Sequence, residues 1–206
     1  MELPWLYRTT LLSTLWLGIS GCQAVRQVTE ALVGIEHLQF RLNGITDVQL
    51  VGISLGQKQR VSDFSAVEAA QLLASYRAGS LPVDFILQVA VRNPNDGTMG
   101  RRQLPIRLAA MEWRLLLDEV PTIRGTLAQP VEIAGGAETL LPLQIRVDLV
   151  EFFQQRRYED VLRLALELGQ GQLSRVSLDV QPTLQTPLGE IRYPRPVRVV
   201  AAEFRP

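Results

Sequence analysis

The chain is poor in the side chains from which most small catalytic and metal sites are built. Its 206 residues include one cysteine, one histidine and one lysine. A single cysteine cannot form an internal disulfide, and a single histidine excludes a zinc site made of several imidazoles. His37 stands in a predicted first strand, where we interpret it as a strand or surface residue. The sequence therefore predicts no metal site and no two-histidine mechanism.

An excess of charge and a phosphate-binding loop are also missing. The 21 basic and 21 acidic residues give a net charge of zero, and we predict no nucleic-acid partner because such proteins need a basic face. Gly135-Gly136 lacks the Lys-Ser/Thr context of a phosphate-cradling loop. The adjacent carboxylates Asp118-Glu119 and Glu159-Asp160 fit solvated charges better than an acid–base pair. We expect no catalytic residue, no cofactor and no enzyme activity.

The N-terminal segment has the layout of a secretory signal. A basic start at Arg8 precedes an apolar stretch from Leu11 to Ile19, which runs into Ile19-Ser20-Gly21-Cys22. The tetrapeptide resembles the lipobox of bacterial lipoproteins, in which a large aliphatic residue and two small residues precede a lipidated cysteine. The resemblance implies cleavage between Gly21 and Cys22, removal of residues 1–21, and a thioether from Cys22 to diacylglycerol carrying acyl chains such as palmitate.

Three other interpretations of this segment stay open: a membrane-spanning helix, a core helix, and a cleaved signal without lipid. A spanning helix needs about 20 apolar residues, roughly twice the run present here. Glu2 offsets the charge of Arg8 in the basic start. We favour the lipoprotein interpretation, which anchors the protein to a membrane of the bacterial cell envelope. Because Gln23 rather than Asp follows Cys22, we expect the outer membrane, facing the periplasm, in a Gram-negative host.

The rest of the sequence is dominated by strand patterns. Residues 22–34 are predicted to form the lipidated N-terminus and a short tether, and residues 35–206 a single domain. Asn43-Gly44, between apolar runs, is a strong hairpin signal. Later runs alternate apolar and polar residues with a period of two; they begin near residues 82, 111, 121, 141, 173 and 188. The pattern predicts a mainly β, antiparallel immunoglobulin- or fibronectin-III-like sandwich.

Two α-helices are expected in addition to the strands, at about 65–78 and 149–168. Ser65 and Glu68 have capping-box spacing, and Gly79 follows as a stop signal. The predicted apolar side of this helix comprises Ala66, Ala69, Ala70 and Leu73. For the second helix, Asp148 and Glu151 form the predicted capping pair and Gly169 ends it. Its apolar stripe comprises Val150, Phe153, Val161, Leu164, Ala165 and Leu168.

Two polar segments are candidate binding sites. In Asn93-Pro94-Asn95-Asp96-Gly97, adjacent side-chain oxygens could contact a hard cation such as calcium. We favour a structural turn, because Asn before Pro prefers extended geometry and Asn95 and Asp96 can accept backbone N–H groups. Arg156-Arg157 and Arg163 could touch lipid headgroups, but the nearby acidic residues favour ion pairs within the helix.

The order of motifs from Pro82 to Leu149 resembles the late-embryogenesis-abundant (LEA) type 2 family, also called the water-stress and hypersensitive-response domain. The pattern is a strand into Val91–Asn95, a strand Trp113–Asp118, a returning segment with Gly125, and Gly135-Gly136 before the strand Leu140–Val147. Phe40 to Leu55 fits the opening strands of the family. The predicted helix near 65–78 and the longer turn at Arg101-Arg102 depart from its pattern.

This resemblance implies an immunoglobulin- or fibronectin-like β-sandwich and a non-enzymatic role in desiccation and stress tolerance. It also implies that Asn93, Pro94 and Asn95 are a structural turn motif. Together with the lipobox, it indicates a membrane-anchored protective or scaffolding protein with an envelope protein or a lipid as partner. The alternative is a binding or carrier protein, in which the apolar faces of the sandwich and the second helix enclose a lipid-like ligand.

Overall fold

Two antiparallel sheets form the body of the protein in a computed structural model. The structure describes residues 38–98, 103–127, 129–186, 189–201 and 204. One cluster of buried apolar side chains runs through both sheets and the helix Tyr158–Gly169. The predicted fold class, a mainly β antiparallel sandwich with added helices, is confirmed.

The smaller sheet has four strands in the order β2-β1-β3-β7. They span Gln39–Leu50 (β1), Ile53–Ser54 (β2), Pro82–Arg92 (β3) and Glu138–Asp148 (β7). Strand β3 lies at the centre because its Val83, Phe85, Leu87, Val89 and Val91 all point into the core, as the alternation of the sequence predicts.

The larger sheet has the order β10-β8-β4-β5, with two short strands added at its margins. Its strands are Ile106–Leu117 (β4), Val120–Leu127 (β5), Val131–Ile133 (β6), Val176–Thr186 (β8), Gly189–Arg192 (β9) and Val197–Val199 (β10). Strand β6 pairs with the start of β4, and β9 pairs with the end of β8. Inward side chains of β4 such as Leu115 and Leu117 are fully buried, while Glu112 and Arg114 face outward.

One predicted hairpin is wrong. Asn43-Gly44 does not reverse the chain, because β1 continues through it as a single strand paired with β3. The long, continuous β3 offers partners along the whole of β1, and the extra residues are absorbed as two register shifts. The chain instead reverses at Val51-Gly52, both of which have positive φ, before the short strand β2.

The first helix, α1 (Ala66–Arg77), begins as predicted but presents a different side to the core. Ser65 accepts the N–H of Glu68, and the Glu68 carboxylate accepts the N–H of Ser65. The predicted apolar side is wrong, since Ala66, Ala69 and Ala70 are exposed and Leu73 is 37% exposed. Leu72 is the buried residue of this helix. The alanines favour helix formation without needing burial, so their spacing did not mark the buried side.

The second helical segment is interrupted. It forms α2 (Leu149–Phe152) and α3 (Tyr158–Gly169) instead of one helix over 149–168. Asp148 accepts the N–H of Val150 as an N-cap, and the chain leaves helical geometry at Phe153. Val161, Leu164, Ala165 and Leu168 are buried as the predicted stripe requires. No helix in the described residues is long and apolar enough to cross a bilayer.

Candidate functional site

Asn93, at the end of β3, is a fully buried polar side chain that joins three segments of the chain. Its amide nitrogen donates to the carbonyl oxygens of Leu104 at 2.8 Å and Ile133 at 3.0 Å. Its side-chain oxygen accepts the backbone N–H of Asn95 at 3.1 Å and the side-chain amide of Asn95 at 2.9 Å. All four hydrogen-bonding positions of the amide are therefore used. We call Asn93 and these partners the Asn93 corner.

Gly135 and Gly136 complete the Asn93 corner by letting the backbone approach closely. The N–H of Gly136 donates to the carbonyl of Asn93 at 2.9 Å, and the N–H of Asn93 donates to Ala137 at 3.0 Å. A Cβ on Gly135 would lie 2.3 Å from the carbonyl oxygen of Asn95. Two motifs that lie some 40 residues apart in the sequence, the Asn-Pro-Asn turn and the glycine pair, thus meet in one place.

The Asp96 carboxylate accepts hydrogen bonds from within the turn. Asp96 accepts both the N–H and the hydroxyl of Thr98, at 2.9 and 2.7 Å. The Thr98 hydroxyl and N–H lower the pKa of the Asp96 carboxyl below its ordinary value. Across the described residues, no group of three or more acidic, cysteine or histidine side chains is arranged to hold a metal ion. The side-chain oxygens of Asn93 and Asp96 thus accept hydrogen bonds from residues of their own turn.

Asp118 lies at the other end of β4 and holds a second polar cluster. The expectation of a solvated charge is wrong for Asp118, because its side chain is only 15% exposed and is paired with two arginines. Asp118 and Glu119 occupy the β4–β5 hairpin with positive φ, so the turn places the Asp118 carboxylate beside Arg156 and Arg175. Arg175 also donates to Glu167 on α3 at 2.7 Å. We call these four side chains the Asp118 cluster; it ties the hairpin to the α2–α3 connection and to the start of β8.

Ionisation is built into the Asp118 cluster. The hydrogen bonds from Arg175 lower the pKa of the Asp118 carboxyl, partial burial opposes this, and Arg156 lowers the pKa further. The same bonds raise the pKa of the Arg175 guanidinium above its usual value. The cluster is therefore a carboxylate shared by two cations at neutral pH.

The outward face of the larger sheet carries a row of four charged side chains. The register places Arg198 opposite Asp179, Asp179 opposite Arg114, and Arg114 opposite Arg124. We call these residues the charged row. The next row on the same face contains Gln181, Glu112 and Thr126. Apart from Arg198, the residues of these two rows line a shallow depression of about 230 Å³.

Two arginines in this region take no part in the ion pairs of the described residues. Arg198 binds Asp179 at 2.5 Å and Glu119 at 2.9 Å, and Arg192 binds Glu112 at 2.6 Å. Arg114 and Arg124 are exposed, and their side chains form no hydrogen bond or ion pair with any other described residue. The alternation of the sequence places Arg114 on the outward face, but nothing in it indicates that Arg124 is its direct neighbour.

The sequence also contains a G-x-S-x-G pattern, Gly52-Ile53-Ser54-Leu55-Gly56. In nucleophile elbows this pattern forms a sharp turn between a strand and a helix. Here Ser54 ends the two-residue strand β2, opposite Gln49 of β1. Ser54 and Lys58 line a depression at this hairpin. Lys58 donates to Glu68 at 2.9 Å and to the carbonyl of Asp63 at 3.1 Å. The pattern is therefore part of a β-hairpin.

The remaining predicted residues fall into two groups. Gly21, Cys22 and His37 lie outside the described residues, so their assignments remain predictions. Arg157 binds the nearby Glu159 at 3.5 Å, as predicted, whereas Arg156 binds Asp118 of the β4–β5 hairpin instead of an acidic residue of its own segment. Arg163 is exposed beside Arg156, Asp160 and Arg175, at a second depression of about 260 Å³.

The apolar surfaces that a carrier would need are in contact with each other. The buried stripe of α3 and the inward residues of both sheets belong to one core cluster, and α3 packs on β1. Gly169 sits against Leu55, where a Cβ would approach the Leu55 side chain to 2.6 Å.

Comparison with known proteins gives only distant structural resemblances. No family model matches the chain, and no curated protein matches it. The chain is similar to a solution structure assigned to a late embryogenesis abundant protein, with 16% identity, 90% of this chain and 85% of the other covered, and a TM-score of 0.38. It is also similar to a crystal structure of an Archaeoglobus fulgidus protein, with 14% identity, 59% and 87% covered, and a TM-score of 0.31. Both TM-scores are low, and neither resemblance carries an argument about function.

Proposed function

We propose that the protein is a lipid-anchored component of the bacterial cell envelope with a non-catalytic, protective or scaffolding role of the LEA type 2 kind. The observation that carries the proposal is the sequence Ile19-Ser20-Gly21-Cys22 directly after the apolar stretch Leu11–Ile19. A cysteine acylated by diacylglycerol carries at least two chains, which is what stable membrane attachment requires.

The position of the sandwich in the chain agrees with attachment through Cys22. Cys22 precedes Leu38, the first described residue, by 16 positions. Even fully extended, such a segment spans at most about 55 Å. The domain would therefore act at the surface of the membrane that holds it.

The use of polar side chains supports a structural role over a catalytic one. Asn93 saturates its amide with three segments of its own chain. Asp118 shares its carboxylate between two arginines, and Asp148 binds Ser80, Leu81 and Val150. These three side chains thus use their hydrogen-bonding groups to stabilise the fold.

Membrane fractionation of cells that express the wild-type chain or Cys22→Ala tests the anchor. We expect the wild-type protein to stay in the membrane fraction after a high-salt wash, and the variant to be released into the soluble fraction. An equal distribution of the two proteins would contradict attachment through Cys22.

Survival of drying and osmotic shock tests the protective role. A deletion strain should survive less well than its parent, and wild-type protein should restore survival where Cys22→Ala does not. Unchanged survival of the deletion strain, together with no envelope partner after cross-linking, would contradict the proposed role without bearing on lipidation.

A further inference from the structure

Arg114 and Arg124 stand directly opposite each other on neighbouring strands, β4 and β5. Side chains in such positions have Cβ atoms about 5 Å apart, and two like charges there destabilise a sheet. Opposite charges would be the stabilising choice. Without a ligand, the repulsion between the two arginines therefore destabilises the folded protein. An anion bound between the two guanidinium groups would replace this repulsion with attraction.

The acidic groups nearest to the pair are bound elsewhere. Asp179 is the other neighbour of Arg114, but it receives the guanidinium of Arg198. Glu112 receives Arg192, and Gln181 also accepts from Arg192 at 2.7 Å. The positive charges of Arg114 and Arg124 can therefore attract an anion from solution.

The surroundings of the pair suit an oxyanion. Thr126 contributes a neutral hydroxyl to the same depression, which has a volume of about 230 Å³. Guanidinium groups present parallel N–H donors that match two oxygens of a phosphate. A tetrahedral phosphate is small enough for this depression and has enough oxygens to bind both arginines at once.

We propose that the depression on the outward face of the larger sheet binds a phosphate group through Arg114 and Arg124. The group belongs to a phospholipid headgroup or to free phosphate, and both sources have the same recognising chemistry. The proposal does not depend on how the protein is anchored.

Thermal unfolding of the full chain in detergent, in sodium phosphate and in sodium chloride of matched ionic strength, tests the site. A ligand that binds the folded state raises the midpoint, so phosphate should raise Tm above its value in chloride. Arg114→Gln and Arg124→Gln should each weaken phosphate binding by about tenfold, the effect of losing one charge-assisted contact. Arg107→Gln is the matched control, because Arg107 is exposed on β4 but lies opposite Glu132 and Gln185.

Arg124→Glu separates binding from fold stability. It replaces the like-charge pair with an opposite-charge pair, so Tm in chloride should rise while the phosphate effect disappears. If phosphate raises the Tm of all four variants equally, or if Arg107→Gln reduces the effect as much as Arg114→Gln, the proposed site is wrong.

The source of the phosphate is distinguished with two probes under the same conditions. Tighter binding of glycerophosphoglycerol, a soluble phosphodiester headgroup, than of inorganic phosphate would assign the site to a lipid headgroup. The reverse order would assign it to free phosphate. Binding of neither probe would overturn the proposal.

Discussion

The Asn93 corner and the Asp118 cluster lie at opposite ends of β4 and hold the sandwich together by different physics. At one end a neutral amide binds mainly backbone groups of three segments. At the other end an ionised carboxylate binds two guanidinium groups, one of which also binds Glu167. Both fasten loops that are distant in sequence, but only the second depends on charge.

This difference predicts how each region responds to pH. An amide does not titrate, so the contribution of Asn93 to the free energy of unfolding should not change with pH. The pKa of Asp118 is lowered in the folded protein by Arg175 and Arg156. Its contribution is therefore complete above the pKa of an unfolded aspartate, about 3.9, and is lost as the pH falls towards the lower folded value.

The largest expected effect is that of Asn93→Ala. The change leaves the carbonyl groups of Leu104 and Ile133 without their donor inside the protein. We expect a loss of about 3 kcal/mol in the free energy of unfolding, because each buried unsatisfied group costs about 1–3 kcal/mol. Urea unfolding at pH 5 and pH 8 measures it, and the loss should be equal at both. The control Asn95→Ala removes bonds at a less buried position and should cost clearly less; equal losses would contradict the central role of Asn93.

Gly135→Ala should cause the next largest loss in the free energy of unfolding. A new Cβ would meet the carbonyl oxygen of Asn95 at 2.3 Å and the N–H nitrogen of Leu104 at 2.9 Å, so the backbone must shift. Overpacking of this kind costs about 1–3 kcal/mol. Gly44→Ala is the matched control, since nothing lies within 4 Å of its Cβ position. Similar stabilities of the two variants in urea would show that the close approach at the Asn93 corner does not matter.

Asp118→Asn should have a smaller effect that depends on pH. Asparagine tolerates the positive φ of residue 118, so the hairpin should keep its shape. We expect a loss of about 1–2 kcal/mol at pH 7, within the range for hydrogen bonds to charged groups and limited by contact with solvent. The difference between the two proteins should shrink as the pH falls below the pKa of an unfolded aspartate, about 3.9, towards the lower pKa of Asp118 in the folded protein.

Asp84→Asn is the control for that series. Asp84 and Arg146 form an exposed pair at 3.6 Å, and exposed pairs contribute about 0–1 kcal/mol. A pH dependence of the difference as large as that of Asp118→Asn would mean that the Asp118 cluster is not a special case.

The smallest expected effect is that of salt. Raising sodium chloride from about 0.1 M to 1 M shortens the Debye length from roughly 10 Å to 3 Å. The difference between wild type and Asp118→Asn should shrink, whereas the difference between wild type and Asn93→Ala should not. Parallel urea titrations at the two salt concentrations measure both, and equal salt dependence would remove the proposed contrast.

Local patterns in the sequence predicted the features that depend on neighbours along the chain. The period of two placed Val83 to Val91 inward on β3, and the Ser65–Glu68 spacing located the start of α1. These predictions succeeded because burial along one strand and capping of one helix are decided within a few residues.

Features that depend on distant partners could not be predicted in this way. Asn43-Gly44 became a bulge because β3 continues opposite it, and α1 turned Leu72 rather than Leu73 inward. The Asp118 cluster joins residues 38 and 57 positions apart. The pairing of Arg114 with Arg124 depends on the register of a hairpin that contains an irregularity.

The intact mass of the protein extracted from membranes tests the central claim, that this sandwich is held at the envelope by a lipidated Cys22. We predict the mass of residues 22–206 with a diacylglycerol group and at most one further acyl chain, and loss of these groups in Cys22→Ala. A wild-type mass with residues 1–21 retained, or with an unmodified thiol at Cys22, would contradict the account.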